Sequence, residues 1–184
     1  MENKLSHRIH VPIYRPILVL GFSMLLLCCS QTEEDITNLT TGELNEIRSA
    51  VINRFNAMIK YAEAGELENI LSHFDASGNG SHIDGGTRYA TFQDMVDSFR
   101  ANWKIKNQDY GIPDTKMFVL SPIFVTVTST SIINTTSREG IVYKPRPWSV
   151  TTLWMLKDGE WKIHSFHQFT ADPVPVEEKK EEGK

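Results

Sequence analysis

The sequence of 184 residues is short of several things, and each shortage closes a class of function. It has two cysteines, and they are neighbours, Cys28 and Cys29. A domain that follows them holds no internal disulfide, and no Cys/His cluster with zinc-like spacing occurs, so no metal site is expected. Charge of one sign is scarce: 19 Lys and Arg against 23 Asp and Glu leave a formal net charge of −4. Nucleic acid calls for a basic face with stacking aromatics, and no such cluster stands in the body of the chain. A nucleic-acid partner is therefore not expected. There is no internal repeat, no glycine-rich phosphate loop and no serine in a nucleophile elbow. Nothing points to a cofactor. Long apolar runs are also missing, with one exception near the start.

That exception is ILVLGFSMLLL, residues 17–27. A membrane-spanning helix needs about 20 apolar residues, and this run is shorter. It follows MENKLSHRIHVPIYRP, with Lys4, Arg8 and Arg15, and a basic stretch before a short apolar run reads as a secretory signal. An uncleaved hydrophobic anchor is the alternative. Leu26-Leu27-Cys28-Cys29 resembles the lipobox of bacterial lipoproteins, which implies lipidation of Cys29, or of Cys28, since Cys28 stands where a small residue usually precedes the modified cysteine. The expected organisation is a signal over 1–28, a polar tether over 29–42, one domain over 43–170 and a charged tail over 171–184. The protein is then expected in the bacterial cell envelope, exported and lipid-anchored on the periplasmic side or at the surface. The tail, VPVEEKKEEGK, is too charged to bury itself and reads as disordered.

Within the domain the hydrophobic period changes once. Thr40 and Glu43 form a capping-box pair, and Leu44, Ile47, Val51, Phe55, Met58 and Ala62 then recur at helical spacing up to Gly65. A short second helix is expected over 66–74, with Leu67, Ile70, Leu71 and Phe74 inward. A glycine-rich stretch leaves room for a very short strand at 82–84. A third helix starts after the N-cap Thr91, its apolar face formed by Phe92, Met95, Val96, Phe99 and Trp103. From Lys116 on, β-branched residues dominate, with a break at Pro122, and WSVTTLWML and EWKIHSFHQF flank a turn at Lys157-Asp158-Gly159. Helices followed by strands predict an α+β domain with an antiparallel sheet.

His164 and His167 fall in the last of these strands. Residues three apart on a strand point to opposite faces, so the pair cannot share a metal unless a bulge intervenes. Regular alternation places His164 with Lys162, Phe166 and Gln168, and His167 with Trp161, Ile163, Ser165 and Phe169. A three-residue loop with Gly159 in the bulge position sets Thr152 opposite His164, on a face shared with Val150 and Trp154. The other face, with Leu153, Met155, Trp161, Ile163 and Phe169, is also apolar. A sheet with one wet side alternates apolar and polar residues, so two apolar faces predict that both are covered. The expected partner is a second copy of the chain, sheet against sheet.

The order of elements over about 43–170 and the ending LWMLKDGEWKIHSFH resemble the nuclear transport factor 2-like (SnoaL-like) superfamily. The ending is similar in particular to that of the association domain of calcium/calmodulin-dependent protein kinase II. The resemblance implies a cone: a curved sheet wraps three N-terminal helices and leaves a pocket at its wide end. The superfamily includes ketosteroid isomerase, scytalone dehydratase, polyketide cyclases and silent binding domains, so the fold does not name a reaction. The resemblance also implies pocket roles for Trp103, Thr152 and Gln168. The kinase domain has arginines at the positions of Thr152 and Gln168; both are absent here, which argues against an anion held by that pair.

The candidate chemistry is then short. His164 is an acid, a base or a hydrogen-bond donor to a ligand, or else a histidine satisfied by Thr152. His82 and Asp84 share one face of a short strand, where a histidine–carboxylate pair could move a proton, or they are ordinary loop residues. His73 suits the end of the second helix. Trp103, Trp154 and Phe166 form an aromatic wall for a flat ligand, or simply core. The reading favoured by these residues is an anchored protein whose cone binds a small, mostly apolar molecule, or a partner, without catalysis. The alternative is a small isomerase, dehydratase or cyclase using His164, His82 or Asp84.

Overall fold

The computed structural model describes residues 38–176. The expected signal, Cys28 and Cys29, and residues 177–184 lie outside the described residues. Helix α1 (Thr41–Glu63) starts where the capping box predicts: Thr40 accepts from the Glu43 N–H, and the Glu43 side chain reaches back to Thr40. Val51, Phe55, Met58, Ile59 and Ala62 are its buried stripe. Gly65 closes it with φ +70°, and a Cβ there would strike the backbone carbonyls of Ile105 and Lys106. Helix α2 (Leu67–Leu71) is shorter than the apolar spacing suggests. Helix α3 (Phe92–Asn102) has a second capping box, Thr91 with Asp94.

The strands are β1 (His82–Asp84), β2 (Thr87–Tyr89), β3 (Ile105–Asp109), β4 (Asp114–Ser121), β5 (Phe124–Ser137), β6 (Val142–Lys157) and β7 (Glu160–Thr170). They form one sheet in the order β2-β1-β7-β6-β5-β3. β5 shares its free edge between β4 along its first half and β3 along its last residues. The break at Pro122 separates β4 from β5, as its missing N–H requires. The fold is α+β, with the helices N-terminal to most of the curved sheet.

The sheet is mixed, not wholly antiparallel as expected, because β1 pairs parallel with β7. The strands β2 and β3 have no strong alternation and were not legible in sequence; β3 is held by its ladder to β5. Residues 171–176, assigned by composition to the tail, include Val174 and Val176, whose backbones bond to Lys144 and Val142.

The β6–β7 hairpin corrects the expected register. Asp158 and Gly159 both have positive φ, 51° and 81°, and Lys157 pairs with Glu160, so the loop has two residues rather than three. Trp154 pairs with Ile163, but Leu153 pairs with Ser165, leaving His164 as an extra residue. Thr152 therefore lies opposite Phe166, not His164. The bulge also reverses the alternation: Trp161 and Ile163 precede it on the buried face, and Phe166 and Gln168 follow it on that same side. Trp161 and Ile163, expected on the outer face, are core.

A neighbouring segment explains the bulge. Residues 73–75 bond to Ile163, the chain then loops out over 76–80, and it rejoins β7 at Ser81 opposite Phe166. His164 sits against that excursion. A Cβ on Gly80 would overlap the His164 carbonyl oxygen, so the close approach there requires glycine.

Candidate functional site

The cavity opens between α1, α3 and the β6–β7 face of the sheet. It encloses about 310 Å³, within the range of small-molecule sites. Met58, Ile59, Ile70, Phe74, Phe99 and Ile105 give it apolar walls, and Trp103, Trp148, Tyr110 and Phe166 give it aromatic ones. The polar groups are few: Asp84, Asn102, Gln108, Arg146, Gln168, Thr170, Asp172 and the Tyr110 hydroxyl.

Three strands bring its central polar chain together. Trp148 Nε1 donates to Gln168 Oε1 at 2.9 Å, and Gln168 Nε2 donates to Asp84 Oδ1 at 3.0 Å. Burial pushes the Asp84 carboxyl above its ordinary range, and the Gln168 bond only partly offsets this. Tyr110 donates to Gln108 at 2.7 Å and packs edge-on to Trp148 at 4.7 Å. Burial, followed by the charge of Glu63, holds the Tyr110 hydroxyl protonated well above its usual range. Trp103 donates to the Gly65 carbonyl at 3.0 Å, which fixes the indole at the cavity edge.

The site residues expected from the sequence divide cleanly. Trp103, Phe166, Gln168 and Asp84 line the cavity; Thr152, Trp154, His164 and His82 do not. Trp154 is fully buried and donates to Thr152 Oγ1 at 2.9 Å, while Thr152 bonds the Val127 carbonyl, so both are satisfied core. His164 does not bond Thr152. Its Nδ1 lies 3.6 Å from Asp75 Oδ2, too far for a hydrogen bond.

Asp75 is the centre of a separate cluster. It accepts from Lys157 Nζ at 2.7 Å and from the Ser77 hydroxyl and N–H at 2.6 and 3.1 Å. Burial alone would raise its pKa, but these partners outweigh it and hold the carboxyl far below the usual range. His82, 1% exposed, packs on Phe74 and Phe92 at 5.9 and 5.8 Å, and neither ring nitrogen has a hydrogen-bond partner. His82 and Asp84 do lie on one strand, yet only Asp84 reaches the cavity. His73 Nδ1 contacts the Asn69 carbonyl at 2.9 Å. Among the described residues, no group of three or more His, Cys, Asp or Glu side chains is placed to hold a metal.

The sequence reading missed Arg146, Trp148 and Tyr110. Arg146 and Trp148 share the inward face of β6, two residues apart, but KPRP gave no strand signal to reveal it. Pro145 falls where the β5–β6 register shifts, so its lack of an N–H is tolerated.

No protein-family model matches this sequence, and no curated protein matches it. Solved structures do match the fold. An NTF2-like protein of unknown function from Shewanella oneidensis MR-1 aligns with a TM-score of 0.53 at 13% identity, covering 66% of this chain and 98% of that one. The hexachlorocyclohexane dehydrochlorinase LinA-type3 from Novosphingobium barchaimii LL02 aligns with a TM-score of 0.59 at 11% identity, covering 74% and 94%. A ketosteroid isomerase-like protein from Erwinia carotovora atroseptica SCRI1043 aligns with a TM-score of 0.56 at 12% identity, covering 68% and 96%. The chain has the NTF2-like fold. At these identities the likeness extends to the fold and no further.

Proposed function

We propose that the cone cavity binds a small, mostly apolar molecule, and that the chain does so as an exported, lipid-anchored homodimer. The observation that carries the reading is the cavity: about 310 Å³, walled by Trp103, Trp148, Phe99 and Phe166, with a few converging polar groups. Binding needs no more than this. Catalysis by a histidine would need His164 or His82 at the cavity, and neither lines it.

Proton transfer by Asp84 is the second reading. It is supported by a carboxyl with a raised pKa, held by one amide at the wall of an apolar cavity. A neighbour of the same fold is named a dehydrochlorinase, which supports enzymes as one use of such a cone.

The anchor reading rests on residues 17–29, and the dimer reading on the outer sheet face, where Phe118, Leu120, Ile132 and Phe169 are each more than half exposed. The deciding experiment is native mass spectrometry of the gently purified protein, followed by a turnover screen on whatever is bound. A retained small molecule that leaves unchanged supports binding. Conversion of that molecule by the wild type but not by Asp84→Asn replaces binding with catalysis.

A further inference from the structure

Among the described residues, Arg146 is the one cation lining the cavity. Its guanidinium is fixed from two sides: Tyr143 lies under it at 5.7 Å to the ring centroid, and Nη2 reaches Thr135 Oγ1 at 3.4 Å. Nε and Nη1 are buried, and neither has an acceptor among the described residues. Buried donors are nearly always paired, and an arginine left with several free donors costs more than most groups. Among the described residues, no carboxylate forms an ion pair with it. Asp84 and Asp172 share the lining, but Asp84 is already held by Gln168 and Asp172 is exposed at the rim. The guanidinium stays charged even where burial weakens its hold on the proton.

We infer that Arg146 is a ligand-binding residue and that the cavity takes an amphipathic carboxylate, its anionic head on the Arg146 fork and its apolar body between Trp148, Trp103 and Phe99. This rests on the small-molecule reading of the cavity and narrows it to one chemical class. A planar carboxylate matches the guanidinium's parallel donors, whereas an amide presents one acceptor and two unwanted donors.

The test uses matched probes on the purified full chain in detergent: 2-naphthoate, phenylacetate and decanoate, each against its primary amide, measured by titration calorimetry. At least one carboxylate is expected to bind tenfold or more tightly than its amide. Arg146→Gln is expected to weaken the carboxylate tenfold or more and so abolish that difference, and Arg146→Lys to restore part of it. Equal binding of acid and amide by the wild type overturns the role of Arg146 and leaves the binding cavity standing. Tighter binding of the corresponding amines overturns it in favour of the acidic groups. Failure of every probe to bind removes both the role and the cavity reading. The wild-type comparison stands even if a variant does not fold.

Discussion

Gln168 joins Trp148 to Asp84, accepting from the indole and donating to the carboxylate within one cavity wall. A single amide thus orients one group and partly offsets the burial that raises the pKa of the other. Replacing it by leucine leaves the Trp148 N–H without its acceptor and Asp84 without its donor. The Gln168→Leu variant is expected to lose about 1–3 kcal/mol, the usual cost of orphaned buried polar groups, in urea melts at neutral pH. Its Asp84 pKa, followed by carboxyl NMR, should move above that of the wild type, because burial then acts unopposed. An unchanged pKa would show that the bond is not formed in solution.

His82 predicts a pH dependence. Burial, then the nearby His164 and His167, lowers its pKa below the ordinary 6.5, and only Asp75 works against this. The unfolded chain therefore takes up a proton at higher pH than the folded one. Stability from this group is complete above about pH 6.5 and falls as pH drops through that value. His73 is shifted in the same direction, again mainly by burial. Thermal melts between pH 7.5 and 5 should show a falling midpoint, and His82→Phe should flatten the slope without removing the His73 part. The variant keeps an aromatic ring between Phe74 and Phe92. A parallel pair of slopes would refute the assignment.

The Asp75 cluster is structural in this reading. The Asp75 side chain is 3% exposed, and Lys157, at 39%, is its only charged partner at hydrogen-bond distance among the described residues. Lys157→Met leaves the buried carboxylate to Ser77. Breaking a buried pair costs about 3–5 kcal/mol, and the exposure of Lys157 brings the expected loss down to roughly 1–3 kcal/mol. Because the Asp75 pKa is depressed, its contribution is complete above the ordinary carboxylate value of 3.8 and is fully lost only when pH falls through the far lower folded value. The variant should therefore differ from the wild type in urea midpoint at pH 7 and keep most of that difference at pH 3.

Ligand binding separates the cavity from that cluster. Trp103→Ala is expected to weaken 2-naphthamide binding by roughly tenfold, as the loss of an aromatic wall usually does. His164→Ala should change it by less than about twofold, since His164 lies outside the lining. Equal effects would mean that the two regions are coupled.

The outer face predicts assembly. Phe118 and Leu153 both flank Thr126 in register across β4, β5 and β6. Sedimentation of the domain at micromolar concentration is expected to give a dimer, and Phe118→Lys with Leu153→Lys a monomer. A monomeric wild type would remove the dimer from the proposal.

Much of the fold was legible in local chemistry. Thr40 with Glu43 and Thr91 as a cap mark helix starts because a side-chain acceptor must meet free N–H groups there. Gly65 and Pro122 mark ends because one tolerates positive φ and the other cannot donate. Trp103, Phe166, Gln168 and Asp84, which line the cavity, could be named as candidates before any coordinates, three through resemblance or aromatic character and one through strand parity. The rest depended on partners distant in sequence. His164 becomes a bulge because residues 73–75 and 81–85 pair with β7 on either side of it, and Gly80 presses against its carbonyl. That one extra residue turns Trp161 and Ile163 inward and moves His164 away from Thr152. Arg146 is likewise invisible in KPRP, because its place in the cavity is set by its pairing with Ile133 of β5. Periodicity reports what each residue prefers locally. Which face a residue occupies after a bulge, and which side chains come together around a cavity, only long-range pairing decides.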